Sequence, residues 1–346
     1  MDFEKRINCV QKTFLGGRDT ALLVLDVENI FYLTGFIGSF AVLIILKDKA
    51  YLFVDGRYYE KAKKSCNFCD LILFENLFSE VDKVLTLERI TALFFDEEDL
   101  KVSFLSRMKK ELKSKPKLLP TKDSFIRELR MIKDDYEIEI IKKGVAKSKK
   151  IITQFISNYL KTGVAERTLA AYLEFMMKTE AEGISFDTIV ASGKNSSLPH
   201  ATPTNRKVLK NDVVLIDYGL KWKGYCTDHT KTLFLGANRL EKYYNIVKEA
   251  IERGLSYVKP GNQIKLVDEN IRKFFEKEGV LKHFLHSSGH GVGLNVHEKP
   301  TLSYRSEGIF KEGMVLTIEP GLYFEGLGGI RIEEMFVVTK SGYEIL

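Results

Sequence analysis

Residues 286–297 read His-Ser-Ser-Gly-His-Gly-Val-Gly-Leu-Asn-Val-His and hold three of the chain's six histidines. Imidazole has the unperturbed pKa nearest neutrality and is the commonest transition-metal ligand. Gly289, Gly291 and Gly293 interrupt the stretch, so its backbone can pass close to something bulky or charged. An ordinary core strand does not combine this many glycines with this many imidazoles. A polar loop with scattered histidines is the plainer reading, and the rest of the chain decides between the two.

Two segments flanking this stretch repeat each other. Residues 213–219, VVLIDYG, closely match residues 315–321, VLTIEPG. Each is an apolar strand that delivers one carboxylate at its end, Asp217 or Glu319, with glycine two residues on. A second acid follows each copy: Asp228 eleven residues after Asp217, and Glu333 fourteen residues after Glu319. The pattern suggests a duplicated half-domain around a pseudo-twofold axis. A carboxylate at the inner end of an apolar strand is costly unless neutralised, because desolvation disfavours its charge. Four converging acids would also repel one another, and metal cations resolve that conflict. Carboxylate-rich ligation with one imidazole suits Mn²⁺ or a similar divalent ion. Two ions ~3.5–4 Å apart would need bridging carboxylates and a bridging water. Taken singly, each acid could equally be a solvated strand end.

The whole chain, 346 residues, is long for one small core, so two domains are expected. Its 45% hydrophobic and 29% charged residues are those of a globular protein, and no apolar run reaches the ~18 residues of a membrane span. The opening MDFEKRINCVQK has no apolar core, so no secretory signal is expected and a cytoplasmic location is. The net charge of +6 comes from lysines spread along the chain rather than clustered with aromatics, which argues against a nucleic-acid partner. Cys9, Cys66, Cys69 and Cys226 make no disulfide framework. The lone Cys66-x-x-Cys69 lacks the second pair of a zinc ribbon.

In chain order, residues 1–120 alternate strands and helices. Apolar runs at 21–25, 41–46, 49–54 and 91–95 read as strands, and helices follow residues 55–58 and cover about 104–112. Asp55 and Arg57 read as a structural turn with its ion pair. Pro116 and Pro120 mark the boundary, with a second domain over 121–346. There Asp134 and Glu137 have capping-box spacing ahead of a helix running toward Leu160. A helix follows over about 166–180, and another over about 266–277. Asn238 and Glu241 repeat the capping spacing before a helix that ends near 259–261.

Together these residues resemble the M24 metallopeptidases, most closely the branch of Xaa-Pro aminopeptidase (aminopeptidase P) and Xaa-Pro dipeptidase (prolidase). The resemblance runs over essentially the whole chain. Residues 29–36 and 55–58 resemble signatures of the creatinase-type N-terminal domain. Residues 186–193, 199–201, 228–232, 289–293, 317–321 and 329–334 fall in order where the family has motifs. The implied fold is α/β (α+β), a creatinase-type α/β domain followed by a pita-bread catalytic domain with a pseudo-twofold internal repeat. The resemblance implies metal ligands Asp217, Asp228, His290, Glu319 and Glu333. Of these, Asp228 and Glu333 would bridge two divalent ions, Asp217 would hold one ion, and His290 with Glu319 the other. Mn²⁺ is the expected ion, with Co²⁺ or Zn²⁺ able to stand in. His200, His286 and His297 match substrate-binding and proton-shuttling histidines. Arg331, two residues before Glu333, would face the same way and place a guanidinium beside that acid. The family's usual Thr-Arg-Thr is Thr230-Lys231-Thr232 here, which puts one structural ion pair in doubt.

The implied reaction is hydrolysis of the peptide bond before proline, with peptides carrying proline at the second position as substrates and a homodimer as the assembly. Glu319 would carry the proton of the attacking water, and His297 would steady the developing oxyanion. Prolidase-type members often have an arginine just after the His-Glu-x-Pro stretch. Here His297-Glu298-Lys299-Pro300 is followed by Thr301, which cannot clamp a terminal carboxylate. The expectation is therefore a metallo-aminopeptidase of the aminopeptidase P type, with prolidase as the alternative. A metal-stabilised binding homologue without activity is a weaker rival, since it would not need His200, His286, His297 and Arg331. Methionine aminopeptidase, which usually lacks the creatinase-type domain, ranks behind.

Overall fold

A computed structural model describes residues 1–122 and 124–346, which divide into two compact units, Met1–Arg130 and Met131–Leu346. Among these residues no helix is long and apolar enough to cross a membrane.

The first unit is built on a mixed six-stranded sheet. Its spatial order is Asp70–Leu73, Ala50–Val54, Val42–Leu46, Thr20–Val24, Ala92–Asp96 and Lys117–Thr121. Every residue of Val42–Leu46 and Ala50–Val54 is buried, as continuous apolar runs covered on both faces must be. The Asp55 carboxylate accepts from Arg57 (2.7 Å from Nη2 to Oδ2) on the surface. Pro120 lies inside the edge strand Lys117–Thr121, a place that tolerates a residue with no N–H to give. The chain then stays with the first unit through the helix Phe125–Met131, where the buried Arg130 guanidinium donates to Asn29 Oδ1 (2.7 Å). The compact units part after Arg130.

The second unit contains two similar halves. In the first, the strand Val213–Tyr218 pairs antiparallel with His229–Phe234, setting Asp217 opposite Thr230. Helices Asp135–Tyr159 and Glu166–Glu180 back this pair, and Phe155, Leu169, Leu173, Val214 and Ile216 share one core. In the second, Val315–Ile318 pairs antiparallel with Glu334–Thr339, backed by helices Glu241–Leu255 and Lys265–Lys277. Val247, Ile271, Phe275, Leu316 and Phe336 form its core. Each fully buried side chain of this kind contributes roughly 1.5–3 kcal/mol, which offsets the cost of the acids between them.

The helix Asp135–Tyr159 starts at a complete capping box: the Asp134 carboxylate accepts from the Glu137 N–H (2.8 Å) and the Glu137 carboxylate from the Asp134 N–H (2.9 Å). Only half of this arrangement recurs at Asn238. The Glu241 carboxylate accepts from the Asn238 N–H (3.1 Å), but Asn238 Oδ1 accepts from Leu240 (2.9 Å) as a tight turn ahead of the helix. That helix ends at Leu255, short of the proline.

Candidate metal centre

The two strand pairs present their acids in the same way. Asp217 is the penultimate residue of its strand and Glu319 directly follows its own; Asp228 and Glu333 each stand one residue before the returning strand. The histidine stretch enters as the short strand His290–Gly291, paired with Glu298–Thr301 on one side and Val315–Ile318 on the other. Its glycines admit that approach. A Cβ on Gly289 (φ +153°) would sit 2.2 Å from the Thr317 carbonyl oxygen, and one on Gly291 2.5 Å from that of Lys299. The bulky neighbour inferred from the glycines is thus the protein's own backbone.

Ligand atoms converge in overlapping groups, each within 4.8 Å: Asp217, Asp228 and Glu333; His290, Glu319 and Glu333; and Asp228, His290 and His297. Glu333 belongs to both groups that contain three of the expected ligands, and Asp228 also reaches both sides. Asp228, His290 and Glu333 are buried, while Asp217 and Glu319 are partly open.

The electrostatics call for cations. His290 Nδ1 lies 3.0 Å from the Gly291 carbonyl, which can only accept, so the proton belongs on Nδ1 and Nε2 carries a lone pair. That lone pair faces Asp228 Oδ2 at 3.6 Å and Glu319 Oε1 at 3.4 Å. A protonated imidazole would pair with them, but burial above all lowers the His290 pKa to about 4, so the ring is neutral at pH 7. Where these acids are ionised, acceptors therefore face acceptors. Asp217 Oδ1 and Glu333 Oε1 are buried with no hydrogen-bond partner. Burial, followed by mutual repulsion with Glu333, Asp217 and Glu319, pushes Asp228 far above the usual carboxylate range. Burial and the neighbouring acids do the same to Glu333, and burial raises Glu319 to about 7. Four carboxylates and one neutral imidazole with its second nitrogen tied to backbone fit a pair of hard divalent cations.

Arg331 closes the network. The expected partner was Glu333, but the guanidinium pairs with Asp217 Oδ2 and also donates to Thr230 Oγ1 (3.0 Å), the Tyr323 hydroxyl (2.8 Å) and the Pro199 carbonyl (3.0 Å). Thr230 passes the link on, since its hydroxyl donates to Glu333 Oε2 (2.9 Å). Arg331 ends the strand Gly328–Arg331, two residues before Glu333, so the alternation expected of one continuous strand does not apply.

His297, His200, His286 and Tyr323 differ in what they offer. His297 is exposed, with its ring centroid 4.4 Å from that of His290. His200 is exposed, and its charge would act on both His286 and His297. His286 has both nitrogens engaged: Nδ1 faces the Ser287 carbonyl (2.8 Å) and Nε2 the Tyr323 hydroxyl (2.9 Å). The carbonyl fixes the proton on Nδ1, so Tyr323 donates to Nε2 while accepting from Arg331. Tyr323 was missed in the sequence. Only its place two residues past the end of the repeated segment hints at it.

Residues 139–340 match the model of metallopeptidase family M24, and residues 6–132 that of the creatinase/prolidase N-terminal domain. An Xaa-Pro dipeptidase of Pyrococcus horikoshii is 36% identical over 93% of this chain and 91% of its own. The crystal structure of an X-Pro aminopeptidase from Thermotoga maritima superposes with a TM-score of 0.89 at 34% identity, covering 97% of this chain and 96% of that one. An Xaa-Pro dipeptidase from Bacillus anthracis gives 0.92 at 33% identity, covering 100% and 96%. By its matched domains, its relatives and its fold, this chain is a member of metallopeptidase family M24.

Proposed function

We propose that the protein is a dinuclear-metal exopeptidase that cleaves the Xaa-Pro bond, with Xaa-Pro dipeptides among its substrates. The observation that carries this is the convergence of Asp217, Asp228, His290, Glu319 and Glu333, three of them buried, with His297 in one of the same groups and Arg331 bonded to Asp217. The relatives named Xaa-Pro dipeptidase support the dipeptidase form, and so turn the order of preference expected from the sequence.

Asp217, Asp228, His290, Glu319 and Glu333 would hold the ions. Two divalent cations, when bound, lower the pKa of a water and polarise the substrate carbonyl. Glu319 would take a proton from the attacking water and return it to the departing proline nitrogen. His297, whose ring lies against that of His290, would donate an N–H toward the developing oxyanion. The substrate amine is held among the neighbouring carboxylates. Arg331 orients Asp217 and, through Thr230, Glu333. His286 acts on the site through Tyr323 rather than by direct contact.

Thr301 favours a second reading, an aminopeptidase P, because it leaves no bidentate clamp after His297-Glu298-Lys299-Pro300. The deciding measurement is kcat/KM of metal-loaded protein for one Xaa-Pro dipeptide and for the same sequence extended by one or two residues. Preference for the dipeptide establishes the dipeptidase. Equal or better cleavage of the extended peptides establishes the aminopeptidase, and cleavage of neither overturns both.

A further inference from the structure

The helix Glu166–Glu180 has no side-chain cap from Ala165, and its first residue is a glutamate with none of its surface exposed. A carboxylate so placed is costly unless its oxygens are satisfied. Here Oε1 accepts from the Ser192 N–H (2.7 Å), the Ser192 hydroxyl (2.7 Å) and the Asn195 amide (3.2 Å). Oε2 accepts from the Asn195 amide (3.0 Å), the Thr204 N–H (3.1 Å) and the Thr204 hydroxyl (2.6 Å). Burial would raise this acid, but the bonds from Thr204, Ser192 and Asn195 outweigh it and hold the carboxyl below its ordinary range. The N–H groups of Glu166 and Arg167 return to the carbonyls of Arg206 and Thr204, both at 3.0 Å.

Ser192 and Thr204 are the two ends of one loop, and the loop carries Pro199 and His200. Its inner side rests on the strand that leads to Arg331 and Glu333. Ser196 Oγ accepts from the Gly329 N–H (2.9 Å), and the Pro199 carbonyl accepts from Arg331 Nη1 (3.0 Å). Arg331 thus holds the loop where it meets the metal centre, and Glu166 holds it at its base. An anion at the first turn of a helix is also favoured by the helix dipole.

We propose that Glu166 is a positioning residue: its buried carboxylate ties Ser192 to Thr204, and so sets the loop that presents His200 beside His286 and His297. The proposal rests on the Xaa-Pro reading above, in which His200 contacts substrate. Glu166 itself touches neither substrate nor metal in this scheme. Its effect passes through the loop, where a shift of about 1 Å can cost two orders of magnitude in rate.

The test is Glu166→Gln in metal-loaded, full-length protein. The amide cannot accept from both ends of the loop at once. The variant should keep the parent's metal content and a cooperative melt, while kcat/KM for an Xaa-Pro dipeptide falls roughly tenfold to a hundredfold. Combined with His200→Ala, it should add no further loss, because coupled residues are not additive. An additive loss, or unchanged activity in the single variant, overturns the proposal. Hydrogen exchange gives a readout that needs no substrate: exchange within residues 193–204 should quicken at least tenfold, with strands Val213–Tyr218 and Val315–Ile318 unchanged. Unaltered exchange in the loop overturns the tie. Expected exchange in a parent protein that cleaves no Xaa-Pro peptide upholds the tie and overturns the substrate reading instead. Should Glu166→Gln fail to fold, Thr204→Val removes one donor and leaves the carboxylate intact, and the same loop-confined exchange should appear at several-fold.

Discussion

Glu333 stands in two ligand groups at once and has one oxygen with no protein donor. Truncation to alanine should therefore empty the site as well as stop turnover, with metal content read by elemental analysis. His297 is a sharper case, because its ring reaches the ligand atoms of Asp228 and His290 and yet lies exposed. His297→Ala should keep metal near the parent level while kcat falls about 10²–10³-fold, the scale of a lost oxyanion donor. Loss of metal in that variant would make His297 a ligand and reverse its role.

Among the elements, the second unit is braced by a buried ion pair between Lys133, just before the long helix Asp135–Tyr159, and Glu298 on the strand after His297 (3.1 Å; side chains 1% and 7% exposed). Lys133→Met removes the cation beside the buried Glu298 carboxylate and should cost about 3–5 kcal/mol, measured as a shift in the denaturant midpoint. The same kind of change at Arg253, whose pair with Glu249 is about half exposed, should cost less than about 1 kcal/mol. Local signals of this chain were readable before its fold. The capping box at Asp134 and the helix over 166–180 depend on residues three or four apart, and the strand-end acids declare themselves by sitting in apolar runs. What depends on pairing between distant strands was not readable. Thr230 gains its place by lying opposite Asp217, and Arg331 turns to Asp217 because its strand ends before Glu333. Glu166 looked like any first-turn glutamate, since its partners lie 26 to 38 residues away.

At the scale of the whole molecule, the site makes stability depend on metal and pH together. Without cations, Asp228, Glu333 and Glu319 keep protons in the folded state that unfolded carboxyls release near pH 4. Their contribution is complete below that pH and is lost as pH rises through their folded values, Glu319 at about 7. His229, His286 and His290 act oppositely: burial lowers them to about 3, 4 and 4, so they cost stability as pH falls below about 6.5. Above about pH 7.5 these histidines are essentially neutral in both states, and of the groups named here the raised acids decide. Metal-free protein should melt at progressively lower temperature from about pH 7.5 to 8.5, and Mn²⁺ or Co²⁺ should restore both Tm and activity. Full activity after chelation, or a Tm indifferent to metal, would remove the two-metal reading. The lone pair of His290 set against two carboxylates carries one more consequence. Cations entering near neutral pH must displace the protons that the acids held in their place. Loading is then an acid-releasing reaction, and its calorimetric heat should change with the ionisation enthalpy of the buffer: the slope across buffers counts the protons expelled.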